Sequence, residues 1–412
     1  MTALPLPGAE HCVHCGFCLQ ACPTYLALDD ENDSPRGRIV LMKALADGSL
    51  AADDAGAQLH IDRCLGCRAC ETACPSGVPY GELLELTRER GAQRRKLPFV
   101  ARVILFLFAR PALLAISMWK ARVLRATGIP ALLARLPGRA GFGMAMLAST
   151  RRTHAESSRT YDAQGDGIRG RVATLRGCVM EGLFAPANRA TERTLSANGY
   201  SLVPADGQRC CGALHAHAGD AAAARELARA NIAAFERSGA EFVAVNSAGC
   251  GAAMKEYAHL LAADPAWRDR ARELSAKVRD VSELLAAAGP RAGGALSFTV
   301  AYDAPCHLLH GQRVSAPPLA VLAAIPELKL VPLADSEQCC GSAGIYNLVE
   351  PAMSNMVLAP KLANIAASGA AIVATGNPGC LMQIGAGALR SGMHTQLRHP
   401  VELLDASYER LR

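Results

Sequence analysis

Residues 12–23 read CVHCGFCLQACP, and residues 64–75 read CLGCRACETACP. Each stretch places four cysteines in the spacing C-x2-C-x2-C-x3-C and follows the last cysteine with a proline. A short loop with this spacing wraps three corners of a cubane iron-sulfur cluster, and the cysteine before the proline leads to the neighbouring cluster. The two stretches therefore predict two adjacent [4Fe-4S] clusters that relay electrons.

The spacing also predicts the ligands of each cluster. The first cluster is assigned to Cys12, Cys15, Cys18 and Cys74. The second cluster is assigned to Cys64, Cys67, Cys70 and Cys22. Structural zinc is the alternative, because zinc also binds cysteine and ligand softness alone does not exclude it. Zinc sites typically use paired C-x2-C knuckles, however, and two triplets that each end in Cys-Pro favour the clusters.

The chain between the two stretches predicts a helix. Ser34 and Pro35 precede the apolar and basic residues 36–45, and proline is favoured in the first turn of a helix. Residues 1–95 are therefore expected to form a helical ferredoxin-like domain. Arg36 and Arg38 either lie near a cluster and offset its negative charge or are ordinary surface arginines.

The composition of the 412-residue chain excludes several classes of protein. Residues 1–5 show no charged region before an apolar run, so the sixteen cysteines are expected to stay reduced in the cytoplasm. A net charge of +6 with 5% aromatic residues does not suggest nucleic-acid binding. The chain has no uninterrupted apolar run of 18 residues, so a membrane-spanning helix is not expected.

A strongly basic segment follows the first domain. Residues 88–139 contain twelve basic residues and one acidic residue, Glu89, and they enclose apolar runs at 103–109 and 111–119. Cationic residues beside Phe, Leu and Trp suit a helix that lies in a membrane interface. A hydrophobic linker packed between domains or against a partner subunit buries the same residues. We assign residues 96–168 to this segment and keep both interpretations.

The remaining cysteines reveal an internal duplication. Four cysteines of one copy recur in the other at offsets of 128 to 130 residues, which predicts two copies of one domain at 169–290 and 296–412. The first copy has Cys178, Cys210, Cys211 and Cys250, and the second has Cys306, Cys339, Cys340 and Cys380.

Each copy is predicted to be an α/β domain with a small parallel sheet. In the first copy, apolar runs at 172–175, 201–203 and 242–245 alternate with helical stretches such as 220–237. The cysteines follow the ends of these strands, so four thiols are expected to meet at one point in each copy. They would hold a metal centre or remain reduced thiols. The nearby His215, His217 and His307 would tune a cluster, carry protons or have no special role.

Several stretches resemble a known family. Residues 33–38, 64–70 and 210–219 are similar to the iron-sulfur subunit of glycolate oxidase, whose relatives act in lactate utilisation, anaerobic glycerol-3-phosphate oxidation and heterodisulfide reduction. The resemblance covers nearly the whole chain. It implies a subunit on the inner face of the cell membrane that takes electrons from FAD-containing partner subunits, which oxidise glycolate to glyoxylate, and passes them to a quinone.

One departure leaves the role of the duplicated cysteines open. In heterodisulfide reductase the repeat ends in C-x2-C and holds a noncubane cluster, whereas Ala253 and Gln383 stand at the last position here. No G-x-G-x-x-G of the chain follows a predicted strand and opens a helix, so no flavin site and no catalytic residue are predicted on it. A subunit of a lactate or glycerol-3-phosphate dehydrogenase complex and a heterodisulfide-reductase-like enzyme remain alternatives.

Overall fold

The computed structural model describes residues 6–150 and 169–411. The first part of the chain is helical, as the sequence predicts. The predicted helix between the two cysteine stretches is present, and the Ser34 hydroxyl caps it by accepting a hydrogen bond from Gly37 N at 2.9 Å. The helices of this part are α1 (Pro23–Leu28), α2 (Pro35–Asp47), α3 (Ala55–Arg63), α4 (Ala69–Thr72) and α5 (Tyr80–Ala92).

The basic segment forms four further helices. They are α6 (Phe99–Phe108), α7 (Pro111–Ala126), α8 (Ile129–Leu133) and α9 (Gly138–Ser149). Phe142 and Ala145 of α9 pack into the apolar core of the second repeat, whereas α7 has no buried residue. Among the described residues no single helix meets the length and hydropathy expected of a membrane span, and α6 and α7 meet them only as a pair bent by 109°.

The two repeats have the same architecture. The first contains strands β1 (Arg171–Thr174), β2 (Ser201–Leu202), β3 (Phe242–Val245) and β4 (Val278–Asp280). Its helices are α10 (Val179–Leu183), α11 (Ala185–Ala197), α12 (Ala213–His217), α13 (Ala221–Ser238), α14 (Ala248–Lys255), α15 (Tyr257–Leu260), α16 (Arg268–Lys277) and α17 (Val281–Ala288).

The second repeat contains fewer helices around an equivalent sheet. Its strands are β5 (Thr299–Tyr302), β6 (Lys329–Val331), β7 (Ile372–Ala374) and β8 (Gln396–Arg398). Its helices are α18 (Ala316–Ala323), α19 (Tyr346–Val349), α20 (Pro351–Ser368), α21 (Pro378–Arg390) and α22 (Pro400–Glu409), and a π-helical turn covers His307–Gly311.

Both sheets are parallel, with strand orders β2-β1-β3-β4 and β6-β5-β7-β8. The predicted α/β class is therefore confirmed, and the three strands predicted for the first copy are present as β1, β2 and β3. The sequence analysis did not identify the fourth strands, β4 and β8. Each has only three residues and includes charged or amide side chains, so neither shows the apolar run by which the other strands were recognised.

The repeats are not packed as separate globules. One apolar core contains Val172 and Leu195 of the first repeat together with Val300 and Ile372 of the second. Asn198 Nδ2 also donates a hydrogen bond to the Tyr408 hydroxyl at 3.0 Å across the same boundary. The shared core brings the cysteine-bearing edges of the two sheets to one region.

Candidate metal centres

The two cysteine loops of the helical part have the same backbone conformation. The second and fourth residues after the first cysteine have positive φ in both loops: His14 and Gly16 at 55° and 87°, and Gly66 and Arg68 at 63° and 65°. Left-handed residues at alternate positions curl a chain tightly, so the thiols of each loop can face a common centre. The repetition of this conformation, including at two non-glycine residues, fits the wrapping of a cluster.

The fourth cysteine of each stretch lies near cysteines of the other loop. Cys74 lines the cavity that is also lined by Cys12, Cys15 and Cys18, together with Cys70. Burial raises the pKa of Cys70 well above its usual value, and the neighbouring thiols of Cys67, Cys64 and Cys22 raise it further. On this placement we propose the exchanged ligand sets given by the spacing.

The second group of cysteines is buried and has polar neighbours. Arg38 is fully buried, and its Nη1 lies 3.9 Å from Cys22 Sγ. The Tyr80 hydroxyl donates to Cys64 Sγ at 3.6 Å, and Arg88 Nη2 donates to the Cys64 carbonyl at 2.6 Å. These cations and donors would stabilise the negative charge of a thiolate-bound cluster.

The first group lies closer to solvent. Cys15 is exposed, and Cys12, Cys18 and Cys74 are partly buried. Arg36 Nη1 donates to the His14 carbonyl at 3.1 Å, which holds this arginine beside the first loop. Arg36 and Arg38 therefore both lie near a cysteine loop, as the first of the two interpretations expects. Only Arg38 is fully buried.

All eight cysteines of the repeats line one cavity of about 270 Å³. Cys210 Sγ lies 3.6 Å from Cys178 Sγ in the first repeat, and Cys340 Sγ lies 3.2 Å from Cys380 Sγ in the second. The sequence analysis expected four thiols at one point in each repeat. The difference arises because the shared core turns the two sheet edges towards each other, so that both groups of thiols face the same space.

The thiols differ in acidity in a way that suits metal binding. Hydrogen bonds from Cys178 and Cys211 lower the pKa of Cys210 well below its usual value. Hydrogen bonds from Cys306 and Cys340 do the same for Cys339, and the Gly341 amide also donates to Cys339 Sγ at 3.4 Å. Each repeat thus stabilises one thiolate, the form of cysteine that binds a metal.

The cavity also contains polar groups whose hydrogen-bonding capacity is not used. Among the described residues, His307 Nε2, Ser342 Oγ and Asn347 Oδ1 line it, are buried and have no hydrogen-bond partner. Buried polar atoms are normally hydrogen-bonded, so an orphaned group indicates a missing partner such as a ligand, an ion or ordered water. The donor set and these three atoms together fit iron-sulfur clusters, which would supply one-electron transfer when bound.

The positions of the absent fifth cysteines have other roles. Gln383 is fully buried; its Nε2 donates to Ser354 Oγ and its Oε1 accepts from Asn347 Nδ2, both at 2.8 Å. Ala253 packs against the apolar core of the first repeat. Neither side chain replaces a thiolate, so each repeat offers four cysteine ligands.

The three histidines singled out by sequence have different surroundings. His215 is buried, and one of its ring nitrogens, Nε2, lies 3.1 Å from the Leu105 carbonyl of α6. The rings of His217 and His307 lie 5.3 Å apart at the cavity wall, and His217 Nδ1 lies 3.2 Å from a Glu85 carboxylate oxygen. The structure therefore brings only His217 and His307 to the thiols.

The second group of ferredoxin cysteines adjoins the second repeat. Cys67 and Cys339 belong to one buried apolar cluster, and the pKa of Cys67 is raised first by burial and then by the charge of Cys339. The Tyr346 hydroxyl also donates to the Arg63 carbonyl at 2.8 Å, which joins the two parts next to this contact. The cysteine groups thus form a continuous series from the exposed first loop to the cavity between the repeats.

Known families match all three cysteine-rich parts. The family described as "4Fe-4S dicluster domain" matches residues 8–78, and the family described as "Cysteine-rich domain" matches residues 172–255 and 300–385. The probable glycolate oxidase iron-sulfur subunit of Bacillus subtilis is 38% identical over 96% of this chain and 93% of its own length. The chain belongs to the glycolate oxidase iron-sulfur subunit family.

Other relatives agree with this assignment. The glycolate oxidase iron-sulfur subunit of Escherichia coli is 34% identical over 97% of this chain and 94% of its own length. Lactate utilization protein A of Shouchella clausii is 28% identical over 56% of this chain and 96% of its own length. As an iron-sulfur subunit, a member of the glycolate oxidase iron-sulfur subunit family acts in electron transfer within an oxidoreductase of several subunits.

Several residues around these centres were not predicted from the sequence. Tyr80 and Asn377 are examples: the Tyr80 hydroxyl donates to Cys64 Sγ, and Asn377 Nδ2 donates to Cys380 Sγ at 3.4 Å. A buried ion pair between Lys361 Nζ and Asp303 Oδ1, 2.9 Å apart, lies in the second repeat, and the charges of Cys340 and Cys380 act on this lysine. Of these residues only Asn377 lies close in sequence to the cysteine it contacts, three residues before Cys380, so only its role could have been inferred from a local pattern.

Proposed function

We propose that this chain passes electrons from flavoprotein partners that oxidise glycolate to glyoxylate towards a quinone in the membrane. The contact between Cys67 and Cys339 carries the proposal, because it joins the predicted two-cluster domain to the thiol-lined cavity. Electrons entering at the exposed first loop would reach the second cluster, which adjoins the repeats. We also propose that the eight thiols of the cavity hold one or more further iron-sulfur clusters.

Substrate oxidation is assigned to other polypeptides. Removing two electrons from a 2-hydroxy acid requires a two-electron acceptor such as FAD, whereas a [4Fe-4S] cluster passes single electrons. The sequence has no G-x-G-x-x-G turn between a strand and a helix. We therefore place FAD on the partner subunits.

The basic segment supports peripheral attachment to the inner face of the cell membrane. Phe99 of α6 is 75% exposed and Trp119 of α7 is 57% exposed, and Ile116 and Val123 of α7 are exposed as well. Basic residues flank these apolar side chains, and the combination suits anionic headgroups above an acyl layer. Packing of α9 against the second repeat would hold the attached helices close to the metal centres.

Metal analysis and electron paramagnetic resonance of the anaerobically purified chain test the cluster content. Two cubanes account for about eight irons per chain, and we expect more iron than that together with an additional signal from the repeats. Replacing Cys210 and Cys339 by serine should remove the additional iron only. A chain with no iron and bound zinc would refute the proposal.

Reduction by substrate tests the place of the chain in the complex. With the flavoprotein partners present, glycolate should reduce the clusters, and the electron paramagnetic resonance signals of the reduced clusters should appear. The isolated chain should give no such signals with glycolate. Lactate serves as the comparison substrate because lactate utilization proteins are among the relatives. Faster reduction by lactate than by glycolate would assign the chain to a lactate-oxidising complex instead.

A further inference from the structure

A second large cavity lies where the ferredoxin-like part, the basic segment and both repeats meet. Its volume is about 280 Å³. We call it the junction cavity; its walls include Leu65, Arg88, Leu97, Ala101, Ala218 and Val349. These residues come from all four of these parts, so the cavity exists only in the assembled molecule.

The junction cavity reaches the second cluster. Cys64 lines it and is the only described cysteine that does so. Arg88 also lines it, and its Nη2 donates to the Cys64 carbonyl at 2.6 Å. A molecule in this cavity would therefore lie beside a cluster ligand. It would not compete with iron for the eight thiols of the repeats, which line the other cavity.

The cavity also adjoins the surface proposed to meet the membrane. Leu97, Pro98 and Ala101 form part of its wall, and the intervening Phe99 and Val100 are exposed apolar residues at the start of α6. An apolar molecule that leaves the acyl layer along α6 would thus meet the cavity at the beginning of this helix. The thiol-lined cavity also touches α6, through Ile104 and Phe108, but the beginning of the helix is at the junction cavity.

The lining suits a flat apolar ring that carries oxygen atoms. Leu65, Ile345 and Val349 provide apolar walls, whereas Arg88 and Lys96 provide positive charge. His217 also lines the cavity, and its Nδ1 lies 3.2 Å from a carboxylate oxygen of the half-buried Glu85. Binding sites of this kind combine mainly apolar walls with a few polar groups that orient the ligand.

We propose that the junction cavity binds the headgroup of the membrane quinone and that the second cluster reduces it there. This inference rests on the proposed function, since it takes a quinone as the acceptor. A quinone bound there would accept two electrons in succession from a cluster held in part by Cys64, take up two protons and become a quinol. Oxidation of glycolate to glyoxylate on the partner releases the same two electrons and two protons. Arg88 and Lys96 would stabilise the negative charge that develops on the ring oxygens.

Photolabelling with an azidoquinone gives a readout of binding that does not depend on turnover. The label is applied to the full cluster-containing chain, and the modified peptides are identified by mass spectrometry. We expect modification within residues 92–101 or at Tyr346, Val349 or Glu350, which line the junction cavity and not the thiol-lined cavity. Leu97→Trp and Val349→Trp, which enlarge side chains on two different walls, should each reduce labelling at least about fivefold.

Two substitutions at exposed positions far from the cavity serve as matched controls. Leu319→Trp on α18 and Val40→Trp on α2 introduce the same side chain where the replaced residue is exposed. Both controls should be labelled like the unmodified chain. Because two walls are blocked independently, a folding defect in one variant leaves the other variant to test the site.

Reoxidation of the reduced chain separates the site from the choice of acceptor. The chain is reduced chemically and mixed rapidly with a short-chain ubiquinone or with ferricyanide, which reaches the exposed first loop. Leu97→Trp and Val349→Trp should slow reoxidation by the quinone at least about tenfold and leave reoxidation by ferricyanide unchanged. Unchanged quinone rates in both variants, or labelling confined to the thiol-lined cavity, would overturn the junction cavity as the site. Failure of the unmodified chain to react with any quinone would instead overturn the proposed acceptor.

Discussion

Replacing Arg38 by methionine should lower the reduction potential of the second cluster. The Arg38 guanidinium is fully buried beside Cys22, and a nearby positive charge favours the more negative, reduced form of a cluster. Arg63 still contacts Asp33 in the variant, at 3.1 Å, so the buried carboxylate keeps one cationic partner. We therefore expect the variant to fold and to bind iron.

The size of the shift follows from the geometry. Two unit charges separated by 3.9 Å, the distance from Arg38 Nη1 to Cys22 Sγ, interact by about 4 kcal/mol at an effective dielectric constant of about 20. The added electron is spread over the whole cluster, and the Asp33 carboxylate, 2.8 Å from Arg38 Nη2, cancels part of the charge. If about a quarter of the interaction remains, its loss of about 1 kcal/mol lowers a one-electron potential by about 40 mV.

A redox titration followed by electron paramagnetic resonance measures this shift. Arg38→Lys keeps the charge and should retain most of the potential. Arg36→Met is the matched control, since Arg36 lies beside the first loop and its removal should leave the second cluster unchanged. A change below about 10 mV in Arg38→Met at full iron content would refute the electrostatic reasoning, because it corresponds to only about 0.2 kcal/mol.

Three further predictions concern stability and membrane binding. Lys361→Met should destabilise the fold by about 3–5 kcal/mol in urea unfolding, because it leaves the Asp303 carboxylate buried without its cation, and adding Asp303→Leu should restore much of the loss. Burial raises the pKa of Asp280 to about 6, so the folded state binds this proton more tightly than the unfolded state does. The contribution of Asp280 to the free energy of unfolding therefore falls by about 1 kcal/mol from pH 5 to pH 7. Asp280→Asn keeps a helix-capping side chain and should remove that part of the pH dependence; an unchanged slope of stability against pH would contradict it. Trp119→Glu should weaken cosedimentation with anionic vesicles several-fold, whereas the control Phe298→Glu, at an exposed position outside the basic segment, should not, and equal binding of both would favour the linker interpretation of the basic segment.

Local patterns predicted the parts of this molecule that depend on neighbouring residues. The helix that begins after Ser34, the parallel strands before each cysteine and the α/β class of the repeats all follow from short stretches of sequence. The duplication was visible because the cysteine offsets are nearly constant. In each case the signal lies within a few residues or in a repeated spacing.

The relations between distant parts of the chain were not predictable in the same way. Cys67 and Cys339 share an apolar cluster although more than 250 residues separate them, and no local pattern encodes that contact. Arg38 lies in a helix whose other charged residues are exposed or half-buried. Contacts with distant residues, such as its hydrogen bonds to Thr24 and to the His60 carbonyl, distinguish it from a surface arginine. The meeting of all eight repeat thiols in one cavity likewise depends on how the two sheets pack.

The beginnings of α14 and α21, which carry Cys250 and Cys380, are joined by hydrogen bonds between the repeats. Ala248 N donates to the Gly376 carbonyl at 3.0 Å, and Gly249 N donates to Asn377 Oδ1 at 3.4 Å. A repeat cut out of the chain would lose these bonds and the other repeat's side of the shared apolar core. An engineered single repeat would therefore need a second copy of itself to bury the same surface.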